Sequence, residues 1–217
     1  LYSLGMLRGH VYRISLDDLN VKDMGKVSEC YSFRLLMGPD GNLYGASKSG
    51  YVYKVDTKEQ KIIDMNYKLP YSRMDYTRSF NNISNGSIGP DGRLYMSIMY
   101  ADDIVALDTS TGKFENMGPY KIAKRSVRGE NRNIVWGLDF DNNGVLWYVV
   151  TSANDGGYYS TNTSGSDVLE YGLPSTLYRW DIARGGKPEY LGMLGTKQRV
   201  PCHVSEVIVD KNNILYA

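Results

Sequence analysis

Apolar and polar positions along the chain come in short runs. Val11-Tyr12-Arg13-Ile14, Val52-Tyr53-Lys54-Val55 and Leu94-Tyr95-Met96-Ser97-Ile98 are bounded by glycine, aspartate or asparagine. Short runs rich in aromatic and β-branched residues, closed off by turn residues, predict β-strands. No stretch carries a sustained apolar period of about 3.6 residues with helix caps, so no long helix is expected.

The runs recur as phrases. Gly38-Pro39-Asp40-Gly41-Asn42-Leu43-Tyr44 returns as Gly89-Pro90-Asp91-Gly92-Arg93-Leu94-Tyr95. Looser copies are Asp141-Asn142-Asn143-Gly144-Val145-Leu146-Trp147 and Asp210-Lys211-Asn212-Asn213-Ile214-Leu215-Tyr216. A second phrase follows each first one: Gly9-His10-Val11-Tyr12-Arg13-Ile14, Gly50-Tyr51-Val52-Tyr53-Lys54-Val55, Asp103-Ile104-Val105-Ala106-Leu107 and Thr176-Leu177-Tyr178-Arg179-Trp180. A third closes each unit: Asp23-Met24-Gly25, Asp64-Met65-Asn66, Asn116-Met117-Gly118 and Tyr190-Leu191-Gly192.

Each unit thus holds four strand signals, a to d, with a tight Asp-Gly turn between a and b. Four antiparallel strands in a unit of about 40–50 residues predict an all-β fold of β-propeller blades, stacked because no blade buries both faces alone. Residues 1–217 are expected to form one domain of about four such blades, incomplete at both ends. Single-chain propellers commonly close with six to eight blades, so a longer parent of that size is expected.

Composition adds little. The formal net charge is +1, so whole-chain charge selects no partner. No apolar run is long enough to span a bilayer, and no membrane role is expected. The two cysteines, Cys30 and Cys202, share a repeat position, make neither a disulfide framework nor a zinc site, and are expected as free thiols. Compartment leans to secreted or periplasmic.

The Gly-Pro-Asp-Gly-X-Leu-Tyr copies resemble NHL-type propeller repeats. The run from Trp136 to Trp147 resembles the blade phrase of the streptogramin-lyase-like group, and that from Ser84 to Arg93 the gluconolactonase-like group. The resemblance covers all the repeats and rests on turn and core residues, so it implies the fold far more than a reaction. The gluconolactonase-like group uses a Glu/Asn/Asp metal cluster. Here only Asn85, Glu206 and Asn82 offer oxygens for a divalent cation such as calcium, which is short of a complete cluster.

Loop lengths point to one working face. The a–b turns are short, whereas the long connections (67–80, 119–132, 193–201 and 151–174) are d–a or b–c loops and fall on the opposite face. The three d–a connections carry ten basic residues, among them Arg73, Arg78, Arg125 and Arg128, against two acidic ones, Asp75 and Glu130. Tyr67, Tyr71, Tyr76, Tyr120, Tyr158, Tyr159 and Tyr171 are interleaved. Such a face suits an anionic carbohydrate or an acidic protein, and it also fits solvated loop charge. It lacks a recognition helix or stacking motif for nucleic acid.

Strand a begins on that face beside the central channel. Counting back from each turn aligns three columns: Arg34, Asn85, Gly137, Glu206; Tyr31, Asn82, Ile134, His203; and Phe33, Ser84, Trp136, Ser205. Polar groups where an inner strand would be apolar need partners. Which column faces the channel depends on register, which the sequence leaves open. His203 is the best candidate for proton transfer, and lining the channel is its bland alternative. Tyr31 could share that task or pack. Arg34 could neutralise a carboxylate or simply pair with Glu206. Trp136 could stack on a sugar ring or sit in the core. His10 reads as structural, and the glycosylation triplets at Asn82 and Asn85 as chance matches. Three functions follow: an acidic-carbohydrate binder or enzyme, such as a polysaccharide lyase or hydrolase; a protein-interaction scaffold; and a metal-dependent lactonase-like hydrolase.

Overall fold

The computed structural model describes residues 1–5, 8–28, 32–70, 82–99, 103–120, 132–153, 175–195 and 204–217. Within them lie five antiparallel sheets, each made of strands consecutive in sequence. The first holds β1 (Tyr2–Gly5), β2 (His10–Ile14) and β3 (Val21–Lys26). The second runs β4 (Leu36–Met37), β5 (Leu43–Ala46), β6 (Tyr51–Asp56), β7 (Lys61–Lys68). The third runs β8 (Ile83–Ile88), β9 (Leu94–Ile98), β10 (Asp103–Asp108), β11 (Lys113–Pro119). The fourth runs β12 (Arg132–Phe140), β13 (Leu146–Ala153), β14 (Thr176–Trp180), β15 (Glu189–Met193). A pair, β16 (Ile208–Val209) and β17 (Leu215–Tyr216), ends the series. Three four-stranded sheets are thus flanked by one of three strands and one of two. The one helical element among the described residues is a 3-10 turn, Ile182–Arg184. No helix there is long and apolar enough to cross a membrane.

Side-chain alternation explains how the sheets stack. Every residue of β9 is buried, because both faces of its sheet are covered. Leu94, Met96 and Ile98 pack with Tyr44, Ala46 and Val52 of the second sheet. Tyr95, between them, turns to Val135, Leu138 and Tyr148 of the fourth. Leu43, Tyr53 and Val55 join Val11 of the first sheet, while Val149 meets Val204 and Val207 beside the last. Period-two alternation therefore divides each middle strand between two neighbours. Each aliphatic side chain so buried contributes about 1.5–3 kcal/mol of transfer free energy.

The turn phrases have a physical cause. In the second sheet Gly38 N–H donates to Asn42 O, and Gly41 N–H to Gly38 O. Gly41 sits at φ 75°, as Gly92 (77°), Gly144 (79°) and Asn213 (60°) do in the other copies. Left-handed backbone there is why glycine or asparagine occupies the position. One oxygen of each turn aspartate caps backbone N–H groups, from Asn42 to Asp40 and from Arg93 to Asp91. The other accepts the aromatic of the same phrase: Tyr44 on Asp40 at 2.8 Å, Tyr95 on Asp91 at 2.8 Å, Trp147 on Asp141 at 2.9 Å. Burial raises the Asp40 and Asp91 carboxyls, but these hydrogen bonds outweigh it and hold both below the usual carboxylate range.

The third phrase is a β-bulge. Register slips between strands c and d in every sheet that has both, at Val11/Tyr12, Tyr51/Tyr53, Ile104/Val105 and Leu177/Tyr178. Gly25, Asn66, Gly118 and Gly192 all have positive φ at these points. The preceding Asx side chain accepts their N–H in the first three, from Gly25 to Asp23, Asn66 to Asp64 and Gly118 to Asn116. An extra residue and a left-handed glycine or asparagine increase the local twist.

Candidate binding site at the mouth of the inner strands

The four inner strands, β4, β8, β12 and β16, lie side by side, with β12 touching both β8 and β16. Arg34 and Glu206 just before β4 and β16, with Asn85 in β8 and Gly137 in β12, form the first column, and the structure brings it together. Arg34 Nε donates to Ser84 O at 3.0 Å. Its Nη2 lies 3.6 Å from Glu206 Oε2. Glu206 Oε1 accepts Asn85 Nδ2 at 2.7 Å, and the same amide nitrogen also donates to Trp136 O. Residues from three sheets, 51 and 121 positions apart in the bonded pairs, meet only because the inner strands share one mouth.

Gly137 explains how they fit. A Cβ there would lie 2.2 Å from Val207 N and 2.4 Å from the Glu206 carbonyl carbon. The chain at Glu206 occupies the space a side chain would need, so glycine lets the last sheet approach. Bulges add to the geometry. Inner-strand register slips at Ser84 in the third sheet and at Trp136 in the fourth, and a bulge re-aims the side chains that follow.

Arg34 and Glu206 remain open to solvent, their side chains 35% and 47% exposed. Asn85 is 7% exposed, and its Oδ1 accepts Gly86 N–H at 2.8 Å. The second column behaves differently. Asn82 is fully buried; its amide donates to Ala46 O at 3.2 Å and Ser47 O at 3.4 Å, and its oxygen accepts Ile83 N–H. It ties β8 to the neighbouring sheet. Ile134 of that column is also buried. In the third column Ser84 bonds Ser97 Oγ at 2.9 Å, and Trp136 is half-buried at its bulge. Tyr31, His203, Arg73, Arg78, Arg125 and Arg128 lie outside the described residues, as do Cys30 and Cys202.

Two tyrosines assigned to the loop face belong to the packing instead. Tyr120 is fully buried and its carbonyl accepts the Tyr148 hydroxyl at 2.5 Å. Tyr67 stacks on Phe114 at 3.9 Å, with planes 3° apart. Tyr67 lies in β7, which runs past the loop boundary drawn from sequence, and Tyr120 directly follows β11. Lys68 is likewise in β7, its ammonium 5.3 Å from the Tyr51 ring centroid. His10 pairs with Asp23 at 2.9 Å between strands c and d. Burial of Asn82 and Asn85 removes both glycosylation triplets from contention.

The oxygens considered for a cation do not converge. Those of Asn82 and Asn85 are engaged by backbone N–H groups, leaving Glu206 as the sole carboxylate of the set. Among the described residues no three His, Cys, Asp or Glu side chains are gathered. The described residues of this set therefore do not form a lactonase-type metal cluster.

A residue that sequence reasoning passed over also bridges the inner strands. Asp139 Oδ1 accepts Ser87 Oγ at 2.8 Å and Phe140 N–H at 2.9 Å, and Oδ2 accepts Val209 N–H at 2.9 Å. An acid inside the apolar phrase Leu138-Asp139-Phe140 was the available signal.

Stacked four-stranded antiparallel sheets with a shared inner mouth define a β-propeller, and comparison with solved structures gives the same class. The extracellular domain of a hybrid two-component system from B. thetaiotaomicron matches 99% of this chain at TM-score 0.61 and 8% identity. Virginiamycin B lyase from Staphylococcus aureus matches 96% at TM-score 0.57 and 14% identity, and a protein described as a gluconolactonase 96% at TM-score 0.55 and 12% identity. At these identities the likeness is one of fold, and it bears out the fold-level resemblance to the streptogramin-lyase-like and gluconolactonase-like groups. This chain spans 24% of the first of those proteins, 62% of the second and 63% of the third. No family model and no curated protein sequence matches it.

Proposed function

We propose that this propeller binds an acidic carbohydrate at the mouth of its inner strands. The observation that carries the reading is the convergence of Arg34, Asn85 and Glu206 from three sheets, with the guanidinium and the carboxylate both part-exposed. A guanidinium fixed through Nε keeps its other N–H groups for a uronate carboxylate. The neighbouring carboxylate accepts hydroxyl donors from a sugar ring. The d–a connections are basic in sequence, with Arg73, Arg78, Arg125 and Arg128, and favour the same class of ligand, and Trp136 is the residue assigned to stack on a sugar ring. A lyase version assigns His203 or Tyr31 to move the proton and Arg34 to neutralise the uronate. Similarity in fold to the extracellular domain of a two-component system and to a lyase is compatible with either binding or turnover.

Calorimetric titration with oligogalacturonate, oligomannuronate and heparin oligosaccharides tests the reading. Binding of at least one, weakened ten-fold or more by Arg34→Ala, supports it. No binding by any of them, or binding indifferent to Arg34, overturns it and favours the protein-interaction scaffold. Ultraviolet absorbance of an unsaturated product separates lyase from binder.

A further inference from the structure

The Arg34–Glu206 pair is held open at both ends. Arg34 is tethered by its Nε to the Ser84 carbonyl at 3.0 Å. Glu206 is tethered by Oε1 to the Asn85 amide at 2.7 Å. Between the tethers, Nη2 and Oε2 stand 3.6 Å apart, within ion-pair range but beyond the 2.7–2.9 Å of a formed charge-assisted hydrogen bond. Each group is thus held by a second partner while the ion pair between them stays long. Both side chains reach solvent, where such a pair is weak.

We infer that Glu206 is a built-in competitor: it occupies the field of Arg34 when the site is empty and gives way when a ligand carboxylate arrives. An incoming carboxylate can approach the guanidinium from solvent and form the direct bonds that Glu206 does not. Glu206 then loses only a stretched ion pair and keeps its Asn85 bond. The competition lowers affinity for acidic ligands alone, because a neutral sugar brings no carboxylate to contest Arg34. This inference rests on the function proposed above and adds to it a built-in limit on the affinity for acidic ligands.

The test is a double-mutant cycle on the full chain, read by NMR titration with trigalacturonate so that millimolar affinities remain measurable. Glu206→Gln keeps an oxygen for Asn85 and removes the charge; circular dichroism checks its fold. Glu206→Gln is expected to bind trigalacturonate about five-fold more tightly, matching the worth of one exposed ion pair. In an Arg34→Gln background the same change is expected to gain less than two-fold, because the competition has vanished. Methyl-esterified trigalacturonate is expected to show no gain. Equal gains in both backgrounds would mean long-range repulsion and overturn the competitor role. So would an unchanged or weaker affinity of Glu206→Gln, with the Arg34-dependent binding of the parent left standing. Failure of the parent to bind trigalacturonate or any related acid would sink the carbohydrate reading itself. Glu206→Asp, which withdraws the charge by one methylene, serves if the glutamine variant misfolds, and an intermediate gain is expected.

Discussion

The backbone N–H of Val209 donates to the Asp139 carboxylate at 2.9 Å, across 70 residues of chain. The same carboxylate takes the Ser87 hydroxyl from the sheet on its other side. One side chain thus ties three successive inner strands. Hydrogen bonds to a charged acceptor are the stronger kind, and removing the acceptor leaves its donors unpaired. Asp139→Ala is expected to cost about 2 kcal/mol, read as a lower urea midpoint. The loss is expected to fall on the contact between the fourth sheet and β16, so amide exchange at Val209 is expected to rise first.

Gly137→Ala attacks the same junction by volume. Its Cβ would press on the Val207 nitrogen and the Glu206 carbonyl carbon, and backbone yields poorly. Overpacking of this sort costs about 1–3 kcal/mol. A thermal melt is expected to show the drop. The variant is also expected to shift Glu206, so binding at the mouth weakens together with stability.

Alkaline pH probes the buried phenol of Tyr53. Burial pushes its pKa up to about 12, against a lowering pull from Ser32, whose hydroxyl is 2.8 Å away. The unfolded phenol ionises near its usual value of about 10. The unfolded state therefore binds fewer protons between these values, and stability falls as pH rises through that window. Stability from this group is complete below pH about 10, and on the order of 2–3 kcal/mol is lost by pH about 12. Tyr53→Phe is expected to cost about 1 kcal/mol at neutral pH and to flatten the pH dependence between those limits. A slope identical to that of the parent would contradict the assignment. Tyr44, Tyr95 and Tyr148 shift in the same direction, so the comparison with the variant is needed.

Much of this was legible in the residues. The Asp-Gly turns and the four-strand units were, because left-handed positions demand glycine or asparagine and because aspartate caps the following N–H. Equivalent positions in the repeats also put Arg34, Asn85 and Glu206 in one column. What the sequence withheld was direction. A slip of one residue reverses every side chain of a strand, and the bulges at Ser84 and Trp136 make such slips locally. Asn82, three residues before Asn85, is buried and bonds the Ala46 carbonyl, while Asn85 reaches Glu206. Tyr67 and Tyr120 were assigned to the loop face because they fall at the edges of connections drawn from sequence, but their rings complete the packing of outer strands. The Met-Gly phrase was seen as a strand signal, and its cause, a positive-φ bulge, needs pairing partners to be visible.

The bulges carry one further consequence. A row of unpaired peptide groups along a flat perimeter invites a stray strand from another molecule. Here strands β3, β7, β11 and β15 each wear a kink opposite Val11, Val52, Ile104 or Leu177. The rim of each complete sheet is thereby crooked where an intruder would need it straight. The recurring glycine or asparagine after the methionine or leucine is, on this view, an inoculation against fibril growth, written once per repeat.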